Sequence, residues 1–161
     1  MNNLKPAIYL LAVFIVWFHF GIAQSVDQID KSVMEIRNDR DQFTTEVVDF
    51  SPHADIIRTV FRGGKEVKYV LQTGTQFEWR VDTLEYFFSD GNLIHVNDKR
   101  INKTNGELEL HDRIYLDGKR MLLWVKSDGT EVSENNCKEL GLEVEFKQRE
   151  EQYLEISKSW K

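Results

Sequence analysis

Three glycines placed 27 residues apart, Gly64, Gly91 and Gly118, constrain this chain more than any other feature. Each follows another turn-forming residue (Gly63, Asp90 and Asp117) and lies between apolar or aromatic runs. Val60-Phe61, Phe87-Phe88 and Ile114-Tyr115 precede the turns, and Val67, Ile94 and Met121 follow at matching positions. Such a pair between apolar runs is a strand-turn-strand signal, because tight hairpin turns need the positive φ that glycine reaches without steric cost. The chain is therefore predicted to contain three hairpins. Glu85 to Val96, E-Y-F-F-S-D-G-N-L-I-H-V, is the clearest of them.

The remaining strands follow from apolar runs between turn residues. Thr44 to Phe50 reads as a first strand, closed by Ser51-Pro52-His53. Ile57 to Arg62 and Glu66 to Thr73 make the first hairpin, Leu84 to Phe88 and Leu93 to Val96 the second, and Leu108 to Leu116 and Arg120 to Lys126 the third. Gln76 to Val81, Q-F-E-W-R-V, alternates strictly and is predicted to be a half-buried strand with Phe77, Trp79 and Val81 on one face. Asn97 to Gly106 is polar and reads as an exposed connection; it contains Asn102-Lys103-Thr104, which matches the N-glycosylation pattern.

Register matters because a slip of one residue exchanges the two faces of a strand. In the second hairpin, a three-residue loop Ser89-Asp90-Gly91 groups Leu84, Tyr86, Phe88, Ile94 and Val96 against Glu85, Phe87, Leu93 and His95. In the third, a two-residue loop Asp117-Gly118 groups Leu110, Ile114, Leu116, Met121, Leu123 and Val125 against His111, Arg113, Tyr115, Leu122 and Trp124. Asp112 then falls on the apolar side and demands a partner there.

Two helices bracket the strands. Ser25 to about Asp39 carries a capping box, Ser25 with Gln28, and a stripe of Val26, Ile29, Val33 and Ile36. Glu139 to Trp160 carries Leu142, Phe146, Arg149, Tyr153, Ile156 and Trp160 at helical spacing. The expectation is an α+β fold: a twisted antiparallel meander of about seven strands, flanked by an N-terminal and a C-terminal helix on one face of the sheet. A small β-barrel is the competing architecture.

The first 23 residues have the layout of a secretory signal: Lys5, then an apolar run from Ala7 to Phe20, then Gly21-Ile22-Ala23 with small residues where a signal peptidase reads. The run is 14 residues long, short of the roughly 20 that a spanning helix needs. Cleavage after Ala23 leaves a single β-rich domain, residues 24–161, in a periplasmic or extracellular compartment, so the membrane enters only during export. The mature segment has 20 basic and 27 acidic residues, a net charge of −7. With its basic residues scattered, it has no electrostatic footprint for nucleic acid or an anionic membrane. Cys137 is the only cysteine, so no intramolecular disulfide exists, and its place at a turn entering a helix suits a buried thiol better than a bridge between chains.

No catalytic, cofactor-binding or metal-ligating constellation is legible. There is no G-x-S-x-G, H-E-x-x-H, phosphate-cradling loop or C-x-x-C. His53 lies in a loop, and His95 and His111 are placed on the solvated side of the sheet. That side also gathers Phe87, Leu93, Tyr115, Leu122 and Trp124 as a candidate interaction surface, since several apolar residues on one exposed face mark a partner or ligand; burial under the helices is the alternative.

The hairpins Phe88-Ser89-Asp90-Gly91-Asn92-Leu93-Ile94 and, more weakly, Tyr115-Leu116-Asp117-Gly118-Lys119-Arg120-Met121 carry a resemblance. From about Ile56 to Val125 the chain resembles a loose group of small, uncharacterised exported bacterial proteins with a signal peptide, a short helix and repeated aromatic-x-D-G-x-L-I hairpins. That resemblance implies the architecture and no activity. MORN-type repeats have a shorter, glycine-richer period than this one. The functional expectation is a non-enzymatic exported domain that binds a protein or cell-envelope component through a sheet face. A carrier of a small apolar ligand is the alternative, and a hydrolase using carboxylates or His95 ranks below both.

Overall fold

In the computed structural model, which describes residues 26–49 and 55–160, the three spaced glycines all lie at reversals with positive φ: 68° at Gly64, 70° at Gly91 and 85° at Gly118. Eight antiparallel strands follow in chain order: β1 (Thr44–Asp49), β2 (Asp55–Gly63), β3 (Glu66–Phe77), β4 (Arg80–Ser89), β5 (Asn92–Asn102), β6 (Leu108–Leu116), β7 (Met121–Val125) and β8 (Glu131–Val132). Each strand pairs only with its sequence neighbours, and β1 and β8 form opposite edges. The sheet is therefore open and not a closed barrel. Helix α1 covers residues 26–38 and α2 spans Glu143–Lys158. The predicted signal segment, residues 1–23, and His53 lie outside the described residues.

Several expectations need correction. Q-F-E-W-R-V is not one strand: Phe77 pairs with Arg80, and Glu78-Trp79 is a tight turn joining β3 to β4. Its alternation belongs to the end of one strand and the start of the next; the eighth strand is the short β8 at Glu131–Val132. The C-terminal helix starts later than predicted because Gly141, at φ 68°, cannot continue the turn before it; the Leu142 amide instead bonds back to the Cys137 carbonyl at 2.7 Å. Cys137 is buried and free.

The largest correction concerns the two faces. The second hairpin turns through Asp90-Gly91 alone, both residues having positive φ as a type I′ turn requires. The third turns between Leu116 and Met121. A register shift falls just before each glycine turn, at Phe61/Arg62, Phe87/Phe88 and Tyr115/Leu116. Each irregularity sets one extra residue against the partner strand and inverts the expected facing beyond it. One face carries the cross-strand row Val60, Val70, Tyr86, Val96, Ile114, Trp124 and Val132, packed with Phe146 and Tyr153 of α2. The other carries Phe61, Tyr69, Phe87, His95 and Tyr115, packed with Ile29 and Val33 of α1. The helices thus take opposite faces, because the bulges make both faces apolar at the glycine-turn end.

The row beneath α1 is a ladder of rings with successive centroids 4.9, 4.9, 5.8 and 4.6 Å apart. Arg40 lies over Phe61 at 4.7 Å and Arg37 over Phe87 at 5.0 Å, which fastens the helix through cation–π contact as well as burial. Arg37 also donates to Glu85 at 3.0 Å, beside Tyr69 at 2.9 Å and Asn97 at 3.0 Å. Burial pushes the Glu85 carboxyl up, but the donors Tyr69, Arg37 and Asn97 outweigh it and hold the group below its ordinary value.

His95 is buried in this ladder, contrary to its expected place on a solvated face. Asn97 spends its amide N–H on Glu85, so its oxygen, 3.2 Å from His95 Nε2, accepts the ring proton. His95 Nδ1 is left without a partner. Burial lowers its pKa from 6.5 to about 4, so the folded state holds the neutral ring. The unfolded chain binds this proton near pH 6.5 and the native state only near pH 4, so stability falls as pH drops through that window. Urea unfolding at pH 7 and pH 4.5 should show an acid loss of order 2–3 kcal/mol from this group. His95→Gln should remove most of that difference; an equal acid loss in the variant would refute the assignment.

Candidate functional site

Beyond the row covered by α2, the same sheet face continues toward the turns opposite the glycines. The next two rows are Val48, Arg58, Gln72, Leu84, Asp98, Asp112 and then Ile56, Gly74, Asp82, Arg100, Leu110. With Glu145, Arg149 and Tyr153 of α2, residues from these rows line an open cleft of about 660 Å³. Gly74 keeps its floor low: a Cβ there would meet Ile56 Cγ1 at 2.9 Å.

The cleft is built from charge. Arg80 and Asp82, two apart on one strand face, form a paired contact at 2.8 Å (Nε to Oδ1) and 3.0 Å (Nη2 to Oδ2). Arg58 Nε donates to Gln72 Oε1 at 2.6 Å, and its guanidinium lies 5.7 Å from the Trp160 ring. Arg100 meets Asp98 at 3.6 Å, and Arg149 meets Glu145 at 3.6 Å and Asp112 at 3.5 Å. Burial lowers the pKa of Arg58 and pushes the Tyr86 hydroxyl up to about 12.

Asp98 and Asp112 are direct cross-strand neighbours, yet their surroundings differ. Asp112 accepts from Trp124 Nε1 at 2.9 Å and from the Ser127 amide and hydroxyl at 3.1 and 3.0 Å, with Arg149 beside it. This is the partner set that an aspartate on an apolar face requires. Asp98 is buried at the cleft wall with Arg100 only at ion-pair distance. Burial raises its pKa; Arg100 and Arg149 oppose that rise, while Asp112 and Asp82 add to it.

The predicted interaction surface does not exist as one patch. Leu93 and Trp124 lie in the α2 core at 0% and 1% exposure, and Phe87 and Tyr115 lie in the α1 core at 0% and 2%. Leu122 is half-buried against the α1 core. The bulges divide the five between faces, and the helices then cover them. Among the described residues, the large apolar side chains exposed on the strands are Val47, Ile57, Ile101 and Leu108, on the α1 side beyond that helix. His95 pairs across the strands with Phe87, and His111 with Lys99.

Sequence reasoning missed the cleft residues. The available signal was the spacing Arg80-x-Asp82 and Asp98-x-Arg100, which puts each pair on one strand face. Asn102, in the predicted glycosylation triplet, donates its amide to Glu109 at 3.0 Å and accepts from the Thr104 amide at 2.9 Å. Among the described residues no three His, Cys, Asp or Glu side chains converge to hold a metal ion. No protein-family model, curated protein or solved structure matches the chain.

Removing Asp112 strands an indole N–H, a serine hydroxyl and a nearby guanidinium. Asp112→Ala should cost about 3 kcal/mol or more in denaturant unfolding, and a loss under about 1 kcal/mol would contradict this account. Asp98 should respond oppositely, because its raised folded pKa means that the charged form is disfavoured in the fold. That penalty is present above the unfolded value of 3.8 and vanishes below it. Asp98→Asn should therefore raise the thermal midpoint at pH 7, with the gain disappearing as pH falls toward 3.8.

Proposed function

We propose that this is an exported, non-enzymatic binding domain, acting in a periplasmic or extracellular setting, which takes a polar or charged portion of a protein or cell-envelope component into the cleft on the α2 face of its sheet. The observation that carries the reading is the cleft itself: a concavity of about 660 Å³ where α2 stops covering the sheet, lined by charged side chains from three strands and a helix. Concave sites with convergent polar groups and perturbed titratable residues are where ligands bind.

The lining favours a polar ligand over the apolar one that a carrier would enclose. An apolar group would strip water from Arg58, Arg80, Asp82 and Arg100 without replacing it. The carboxyls favour binding over hydrolysis: Asp82 and Asp98 are each ion-paired to an arginine, and Asp112 is committed to Trp124 and Ser127.

Hydrogen exchange read by mass spectrometry tests the site. Added solubilised envelope fraction should slow exchange in residues 80–84 and 98–102, which border the cleft. Protection confined to other segments, or none with any fraction, would overturn the reading.

A further inference from the structure

We propose that the cleft is an oxyanion site, holding a phosphate or carboxylate group between Arg100 and Arg149. This rests on the cleft being the binding face. Four guanidiniums, of Arg58, Arg80, Arg100 and Arg149, line it against three carboxyls, of Asp82, Asp98 and Glu145. The excess is cationic in a chain with 21 basic and 27 acidic residues.

The pairings inside the cleft point to where the anion sits. Arg80 and Asp82 form an ion pair at 2.8 Å with a hydrogen bond from Nη2 to Oδ2 at 3.0 Å. Arg100 reaches Asp98 only at 3.6 Å, and Arg149 reaches Asp112 and Glu145 only at 3.5 and 3.6 Å. Those distances keep the Coulomb attraction but are beyond good hydrogen-bond length. Asp98 and Asp112 are direct cross-strand partners, so Arg100 beside the one and Arg149 beside the other border the same stretch of the cleft. An oxyanion there gains short charge-assisted hydrogen bonds that the resident carboxyls do not supply.

A cation finds every carboxyl of the cleft already beside an arginine. A neutral sugar could hydrogen-bond to the same side chains but gains nothing from the charge excess. Oxyanion chemistry is therefore the class that the cleft favours. Whether the group is free or is the acidic end of a larger molecule makes no difference to these contacts.

Isothermal titration of the purified protein with sodium phosphate, with citrate and with the neutral trisaccharide maltotriose tests this. Phosphate or citrate should bind, and binding should weaken as ionic strength rises. Arg100→Gln should weaken it about tenfold or more, as loss of a charged hydrogen bond does. Asp98→Asn should tighten it roughly two- to fivefold, as removal of a like charge does. Arg149→Gln carries the same expectation as Arg100→Gln and keeps the test alive if that variant does not fold. Absence of binding by both anions, binding indifferent to the arginines, or binding of maltotriose alone would overturn the oxyanion assignment. If an envelope fraction still protects the cleft strands in exchange, the binding-face reading survives that failure; if it does not, both fall.

Discussion

The sheet is longer along its strands than any single helix can cover. A strand advances about 3.3 Å per residue and a helix with its side chains is about 10–12 Å across, so a helix lying across strands shields some three or four residues of each. Strands β2 to β6 run from 9 to 12 residues. Each face therefore has a covered half and an open half, and composition follows that division. Buried residues concentrate in the glycine-turn half of β2, β4 and β6. The open half is charged on the α2 side and mixes threonine with aliphatic residues on the α1 side.

That division explains why fold and site were unequally legible. The glycine spacing reports the backbone directly, since only a few residue types accept a positive φ, so the reversals at Gly64, Gly91 and Gly118 could be read from the sequence. The Glu78-Trp79 reversal has no glycine and hides inside an alternating pattern. Facing is set by bulges, which leave no compositional mark. The shift at Phe87/Phe88 exchanges Leu93 and Ile94, and the one at Tyr115/Leu116 carries Trp124 to the α2 core. Periodicity alone therefore gathers five aromatic and aliphatic residues onto one imagined surface. The cleft was invisible for a related reason: its arginines come from three strands and a helix, and only the register and the docking of α2 bring them together.

The neighbouring aspartates show how small a displacement separates structure from chemistry. Asp112 lies under α2 and is satisfied by fixed donors, which makes it part of the packing around Trp124. Asp98, one strand over, meets the cleft and lacks those donors. One carboxyl stabilises the helix–sheet contact, and the other adjusts the charge of an open site. Arg149 touches both settings, through its place over the Trp124 ring at 4.3 Å and its position on the cleft wall.

The strictly sequential strand order also bears on how the molecule assembles. Because every strand hydrogen-bonds only to its chain neighbours, the sheet can zip up through short loop closures, which cost little chain entropy. The first helix has no such local partner. Ile29 and Val33 settle on a surface assembled from Phe61 through Tyr115 and Val125, so a helix that precedes the whole sheet in the chain is the last element able to dock. An amphipathic helix with its seat still unbuilt must wait beside the growing sheet, and the ring ladder, His95 included, stays wet until that helix closes over it.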